Sequence, residues 1–127
     1  MKKGDKVSKD ETVLRRVYRK DKRFIDPKTG RPSSRAFAPR PKDNGRLSVD
    51  VESLTTLANS IVNPDKFVLF RNTVNLIDQL GLECIYDPVF TKEFDNPEHA
   101  VVIGFNEEDE SIPGILARQA EFLNYPF

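Results

Sequence analysis

The sequence predicts a single small domain of the α+β class, with a mixed or antiparallel sheet of about four to five short strands and two to three helices. The chain has 127 residues, a length typical of one domain, and it contains no internal repeat. Short β-rich apolar runs are separated by turn residues and by segments of helical spacing. Hydrophobic residues make up 38% of the chain, enough for one modest core.

The polar N-terminal segment precedes the first predicted strand. Residues 1–12 carry many charges and few apolar side chains, so we expect a flexible basic arm there and a folded domain over residues 13–127. A β-branched and aromatic run over residues 13–19 predicts a strand. The segment Asp26-Pro27-Lys28-Thr29-Gly30 predicts a turn, because proline presets its φ and glycine tolerates positive φ.

The middle of the chain begins with a proline-bearing segment, residues 31–46, that has no helical period and predicts an ordered loop or irregular hairpin. Asn44-Gly45 favours a type I′ turn and leads into a short strand over residues 46–49. Asp50 is then a suitable N-cap for a helix that ends near Asn59.

Strand and helix predictions alternate in the second half. Residues 67–70 predict a strand, a short helix begins near Thr73, and residues 82–86 predict the next strand. The continuous apolar run over residues 99–105 indicates a central strand covered on both faces. Ser111 and Pro113 begin a C-terminal helix whose apolar spacing continues to Leu123.

The formal net charge is zero, but the charge is divided between the two halves of the chain. Residues 1–46 contain 16 Lys and Arg against 6 Asp and Glu, a net of +10, whereas residues 47–127 contain 4 against 14, a net of −10. The zero excludes a protein that is basic on every side. The division predicts either an anion-binding surface on the first half or neutralisation of one half by the other in the folded domain.

Several classes of protein are excluded or disfavoured. The single cysteine, Cys84, allows neither an internal disulfide nor a multi-cysteine zinc site. No apolar run approaches the roughly 20 residues that span a bilayer, and residues 1–6 lack an apolar leader, so we expect a cytoplasmic protein without membrane association. A Gly-rich phosphate loop, a paired-histidine motif and a nucleophile elbow are all missing, so we expect no cofactor and no metal, and enzymatic activity is disfavoured but left open.

The candidate anion-binding residues lie in the proline-bearing segment. Adjacent hydroxyls donate to phosphate or carboxylate oxygens, and guanidinium groups supply planar, bidentate charge. The alternative is a solvated basic loop whose serines bond to the backbone. The candidate set is Arg31, Ser33, Ser34, Arg35, Arg40, Lys42 and Arg46.

His99 and Ser48 are the candidate catalytic residues. A neutral imidazole at the start of the strongest strand can act as a general base, although a structural bond to the preceding loop is the alternative. Catalysis requires His99, Ser48 and Arg35 to converge in one pocket. The acidic run Glu107–Glu110 can bind a hard cation, but stabilisation of a helix N-terminus also explains it.

Two stretches carry a resemblance to known proteins. Residues 31–37, continuing to Asp43 and Leu47-Ser48-Val49-Asp50, together with Asn96-Pro97-Glu98-His99-Ala100, are similar to a group of small bacterial proteins without a known activity. A fainter resemblance is to ADP-ribosyltransferase-type enzymes. It implies that Arg16 or Arg19, Ser33-Ser34 and Glu108-Asp109-Glu110 fill the positions of the strand arginine, the serine segment and the catalytic glutamates.

These observations favour a non-enzymatic binding or interaction module of a bacterial protein complex. Its Arg-rich first half would engage an anionic partner, either a nucleic-acid backbone or an acidic protein surface. The alternative is a small enzyme that acts on a nucleotide or a phosphorylated metabolite.

Overall fold

The computed structural model describes residues 1–93 and 95–125. Strands and helices alternate along these residues, and three short 3-10 turns connect them. The strands and α-helices in chain order are β1 (Thr12–Tyr18), β2 (Leu47–Val51), α1 (Leu57–Ile61), β3 (Phe67–Thr73), α2 (Val74–Gln79), β4 (Glu83–Tyr86), β5 (Val89–Phe90), β6 (Asp95–Asn96), β7 (His99–Ile103), α3 (Ser111–Gln119) and β8 (Glu121–Leu123).

Six of the strands form one antiparallel sheet in the order β4-β7-β2-β1-β3-β8, and β5 pairs with β6 in a separate ribbon. The α+β class and the antiparallel sheet are confirmed. The predicted four to five strands are too few, because β8 was not expected. The apolar residues Phe122 and Leu123 continue the spacing of α3, but they pair with Phe70 and Leu69 of β3, and this tertiary pairing overrides the helical period.

The predicted helix from Asp50 to about Asn59 is wrong. Asp50 lies inside β2, where it pairs with Leu14 of β1 and His99 of β7. Helix α1 begins only after Thr56, whose hydroxyl oxygen accepts a hydrogen bond from the Asn59 backbone at 3.1 Å. Burial of Val51 in the core continues the strand alternation past the point where the sequence suggested an N-cap.

The other predicted elements correspond to observed ones. Strands β1, β3, β4 and β7 and helices α2 and α3 lie at the predicted places. The predicted turn at Asn44-Gly45 has positive φ at both residues, 53° and 75°. Strand β7 lies between β4 and β2, and Ala100, Val101 and Val102 are buried, so its central position is confirmed.

The two faces of the sheet are covered differently. One face packs under α2, α3 and the 3-10 turn Ser34–Phe37, with Phe37, Phe70 and Leu116 among its fully buried side chains. On the other face, α1 covers only a small apolar cluster made by Leu14, Ile61, Leu69 and Leu123. The rest of this second face carries polar side chains of β1, β2 and β7, among them Arg16, Ser48 and His99, and they form one part of the candidate site. Arg15 lies on the first face, with Val13 and Val17.

Part of the predicted flexible arm lies against the sheet. The backbone N–H of Val7 donates to the carbonyl of Cys84 in β4, and that of Tyr86 donates to Asp5. The Val7 side chain is 1% exposed and belongs to the main core. Among residues 1–93 and 95–125, no helix has the length and apolar character needed to cross a bilayer.

Candidate functional site

The site begins where β1 and β2 diverge. The two strands pair at Val13–Val51 and Leu14–Asp50, and the Arg15 side chain occupies the opening beyond those pairs. Its Nε donates to the carbonyl of Ala36 at 2.9 Å, and its Nη1 donates to the carbonyl of Ser48 at 3.0 Å. Beyond the last β1–β2 pair, the guanidinium thus donates to a β2 carbonyl that would otherwise accept a hydrogen bond from the backbone of β1.

The charge of Arg15 is not neutralised by a carboxylate. Its hydrogen-bond partners are backbone oxygens, and no ion pair involves it in the part of the chain that the structure describes. Burial, together with the nearby Arg40 and Arg16 cations, lowers the pKa of Arg15 to about 10, against the opposing effect of the Asp43 carboxylate. The group is still protonated at neutral pH, so the fold holds a positive charge in a partly desolvated place.

Arg16 extends from β1 onto the open sheet face. Its Nη1 donates to the carbonyl of Ser60 at 2.8 Å, and its guanidinium lies 5.3 Å from the centre of the Phe67 ring. Arg16, Arg15 and Ser48 line a cavity of about 260 Å³ together with His99 and Asn96. The hydrogen bond and the aromatic contact hold the Arg16 charge at the wall of this cavity.

A second cavity of about 280 Å³ shares Arg15, Arg16 and Ser48 with the first and adds Arg35 and Arg40. We call the two cavities together the β1–β2 cleft. Its aromatic wall consists of Tyr18, Phe24 and Phe67. Tyr18 is 53% exposed, and its ring centre lies 4.8 Å from that of Phe67. Four guanidinium groups and an exposed aromatic surface therefore line one cleft.

His99 connects the cleft to the loop that precedes β5. Its Nδ1 lies 2.7 Å from the carbonyl oxygen of Asp87 and 3.5 Å from the Asp87 carboxylate. Its Nε2 lies 3.1 Å from the hydroxyl oxygen of Ser48. Asp50 pairs with His99 across β2 and β7, so Ser48, two residues before Asp50, lies on the same sheet face as His99.

The ribbon formed by β5 and β6 supplies another wall. Val89 and Asn96 line the cavity that contains His99. The amide oxygen of Asn96 is buried and has no hydrogen-bond partner among the described residues. The cavity therefore includes an acceptor whose hydrogen bond is not satisfied within the described part of the chain.

The predicted anion-binding residues lie in several places. Arg35 and Arg40 line the cleft, and Arg40 Nε also donates to the Asp43 carboxylate at 3.1 Å. The Arg31 guanidinium donates to the carbonyls of Ala117, Arg118 and Ala120 at the end of α3, and the Ser33 hydroxyl donates to the carbonyl of Arg23. Ser34 opens a 3-10 turn, while Lys42 and Arg46 are exposed.

The two halves of the chain form few ion pairs with each other. Lys3–Asp87 at 3.8 Å and Lys6–Asp78 at 3.9 Å join them, and both lysines are more than half exposed. Arg23 and Arg40 pair with aspartates of their own half, and Arg71 pairs with Glu52 and Glu121. No ion pair among the described residues thus joins the arginines of the cleft to the acidic half, although Asp50 of that half lines the cavity that contains His99.

The acidic run lies elsewhere. Glu107–Glu110 line a different cavity, of about 950 Å³, and the Asp109 carboxylate accepts from the Ser111 backbone and hydroxyl at the start of α3. The structure therefore places Arg16, Ser33 and the acidic run at separate sites. In residues 1–93 and 95–125, no group of three His, Cys, Asp or Glu side chains is arranged to hold a metal ion. Burial raises the pKa of Cys84 to about 12, which keeps its thiol protonated.

Sequence reasoning missed Arg15 and Asp87. Arg15 lies two residues after Val13 and two before Val17, so strand alternation places it on their buried face, where an arginine needs an explanation. Asp87 follows β4 directly, but only the fold brings it to His99. Ser48 and His99 were predicted, and the structure places them within hydrogen-bond distance of each other.

No protein-family model matches the chain, and neither a curated protein nor a solved structure is significantly similar to it.

Proposed function

We propose that the chain binds the phosphate backbone of a single-stranded nucleic acid in the β1–β2 cleft. The observation that supports this proposal is the half-buried Arg15 guanidinium, which bonds to the carbonyls of Ala36 and Ser48 and has no carboxylate partner in the described chain. Arg16, Arg35 and Arg40 extend the positive charge along the cleft.

A phosphate group fits the chemistry of this cleft. Several guanidinium groups that lie close together and are partly desolvated destabilise the folded protein. A bound anion offsets this cost, because it neutralises their charge. Guanidinium groups present parallel N–H donors that match two phosphate oxygens. A phosphodiester with one charge per nucleotide can therefore occupy the cleft with its oxygens toward Arg15 and Arg16.

The aromatic wall favours a single strand. Tyr18 and Phe67 pack at the edge of the cleft, and Tyr18 is exposed. An unpaired base can stack on such a surface while its phosphate contacts the arginines. A base inside a duplex is stacked between its neighbours, so it does not expose a ring face to Tyr18.

The test is fluorescence anisotropy of a labelled single-stranded oligonucleotide titrated with the protein at several salt concentrations. Binding to phosphates releases counterions, so the logarithm of affinity should fall linearly with the logarithm of salt concentration. The double variant Arg35→Gln/Arg40→Gln should bind about tenfold more weakly or worse and show a smaller salt slope.

The matched control is Lys42→Gln/Arg46→Gln, which makes the same change in formal charge outside the cleft. Equal losses in the two double variants would show that net charge and not the cleft binds the oligonucleotide. Binding of poly-glutamate in place of the oligonucleotide, with the same dependence on Arg35 and Arg40, would overturn the proposal and identify an acidic protein surface as the partner.

A further inference from the structure

We propose that Ser48 is a nucleophile that attacks the phosphorus atom of a phosphate ester in the β1–β2 cleft. His99 is its general base and Asp87 is a positioning residue. The inference rests on the proposed function, in which the cleft is an anion-binding site. It adds a reaction at that same site. The juxtaposition that carries it is the chain of contacts from Asp87 through His99 to Ser48.

The contacts of His99 determine where the proton lies on its neutral ring. A carbonyl oxygen only accepts hydrogen bonds, so Nδ1, 2.7 Å from the Asp87 carbonyl, must carry the hydrogen. The lone pair is then on Nε2, which lies 3.1 Å from the Ser48 hydroxyl oxygen. This is the tautomer that a base needs in order to accept a proton from that hydroxyl.

The hydroxyl is accessible to a substrate. Ser48 is exposed, while His99 is half-buried with 16% of its side chain accessible. Ser48 lies in both cavities of the cleft, between the wall that carries His99 and the wall that carries Arg35 and Arg40. A histidine that only tied β7 to the preceding loop would need the Asp87 contact alone, but this ring also presents its second nitrogen to a hydroxyl in the cleft.

The arginines stabilise the charge of the transition state. Arg15 Nη1 donates to the backbone carbonyl of Ser48 itself, at 3.0 Å, so one guanidinium is fixed beside the nucleophile. Arg16 lines the same cavity. Phosphoryl transfer spreads negative charge over the equatorial oxygens of phosphorus, and fixed cations around those oxygens lower the barrier.

The reaction has two balanced steps. The Ser48 oxygen forms a bond to phosphorus while the bond to the leaving ester oxygen breaks, and the hydroxyl proton passes to His99 Nε2 and then to the leaving alcohol. A phosphoserine results. Water then attacks phosphorus, gives a proton to Nε2, and the Ser48 oxygen leaves and takes that proton back. Neither an oxidant nor a second substrate besides water is required.

The experiment uses diisopropyl fluorophosphate, a neutral reagent whose phosphorus is attacked by an activated serine with loss of fluoride. The full chain is treated, digested and examined by mass spectrometry. We expect the adduct on the peptide that contains Ser48. Labelling should be lost in Ser48→Ala, slowed about 100-fold in His99→Gln, and unchanged in Ser53→Ala, which removes an exposed hydroxyl outside the cleft. Circular dichroism checks that each variant is folded.

A second measurement follows release of p-nitrophenolate from bis(p-nitrophenyl) phosphate, with Asp87→Asn as the positioning variant. This variant should lower kcat and leave KM near the wild-type value, because it removes the carboxylate that lies 3.5 Å from His99 Nδ1, and Asp87 itself lines neither cavity of the cleft.

Labelling of His99→Gln at the wild-type rate, or an adduct on another serine only, overturns the assignment. Oligonucleotide binding without any adduct on a folded wild-type chain overturns the reaction and leaves the binding proposal standing. An adduct on Ser48 without oligonucleotide binding supports the nucleophile and overturns only the nucleic-acid partner.

Discussion

The guanidinium of Arg15 lies 3.0 Å from the carbonyl oxygen of Ser48, across the opening where β1 and β2 diverge. The same side chain reaches the carbonyl of Ala36, which belongs to the 3-10 turn on the buried face. One arginine thus joins β1, β2 and the proline-bearing segment. It also leaves a positive charge next to Ser48, whose hydroxyl lies 3.1 Å from His99 Nε2, so the stability of the fold and the charge of the cleft depend on one group.

Arg15→Lys should lower both stability and oligonucleotide affinity. Lysine keeps the charge, but a single ammonium cannot reproduce the planar fork that reaches two carbonyls. Loss of one charged hydrogen bond to a buried carbonyl costs about 2 kcal/mol, which urea denaturation can measure. Arg19→Lys is the control, because Arg19 is exposed and its Nε donates to the Pro64 carbonyl at 3.2 Å. Equal urea midpoints for the two variants would contradict the role of Arg15.

Local sequence patterns predicted the strands and helices whose burial agrees with their own periodicity. The β-branched and aromatic run of β1 and the continuous apolar run of β7 are examples. They failed at Asp50 and at Phe122, where a distant strand decides the conformation. Asp50 suggested an N-cap because its side chain favours that position, but its carboxylate instead accepts from Ser60 inside the protein. Pairing with β3 likewise turned the end of the predicted C-terminal helix into a strand.

The candidate site could be predicted only in part, for the same reason. Ser48 and His99 stand out as isolated polar residues in β-rich segments, and antiparallel pairing of β2 with β7 brings them together. The role of each arginine depends on the residues that surround it in the fold. Arg31 and Arg35 are alike in sequence, yet one bonds to the end of α3 and the other lines the cleft.

Ser60→Ala should destabilise the domain because Ser60 supports a buried carboxylate. The Ser60 hydroxyl donates to Asp50 Oδ2 at 2.7 Å, and both residues are buried. Without the Ser60 hydroxyl, the buried Asp50 carboxylate loses a hydrogen-bond donor. The free energy of unfolding should therefore fall by about 2 kcal/mol. Urea denaturation measures the change, and Ser53→Ala, at an exposed serine, should have little effect. A Ser60→Ala variant as stable as the wild type would show that the carboxylate finds another donor.

Glu52 should contribute stability that is lost in acid. The Arg71 guanidinium donates to both Glu52 carboxylate oxygens, at 2.7 and 2.6 Å, and with the Thr12 hydroxyl it holds the pKa of Glu52 below its usual 4.5. A carboxyl group with a lower pKa in the folded chain stabilises the fold above its unfolded pKa, and this contribution disappears as the pH falls through the folded value.

The variant Glu52→Gln should therefore be about 1 kcal/mol less stable than the wild type at pH 7, and the difference should shrink as the pH falls below about 4. Urea midpoints between pH 7 and pH 3 measure it. Glu107→Gln, at an exposed residue outside the Arg71 contacts, should follow the wild-type curve. A constant gap between Glu52→Gln and wild type over this range would mean that the carboxylate acts through packing and not through its charge.

Arg31→Met should destabilise the domain without weakening oligonucleotide binding. Its Nη2 donates to the carbonyls of Ala117, Arg118 and Ala120 at 3.0, 3.2 and 3.3 Å. Helix C-termini leave such carbonyls without partners, and a cation there also interacts favourably with the helix dipole. Methionine keeps much of the apolar stem but removes these bonds, so the free energy of unfolding should fall by about 1 to 2 kcal/mol.

Thermal and urea denaturation measure the loss, and Arg46→Met, which changes an exposed arginine, is the matched control. Anisotropy on the folded Arg31→Met variant should give the wild-type affinity, because Arg31 lies at the end of α3 while Arg15, Arg16, Arg35 and Arg40 line the cleft. A loss of affinity as large as that of Arg35→Gln/Arg40→Gln would show that the binding surface extends beyond the β1–β2 cleft to the end of α3, and that Arg31 both closes the helix and contacts the partner.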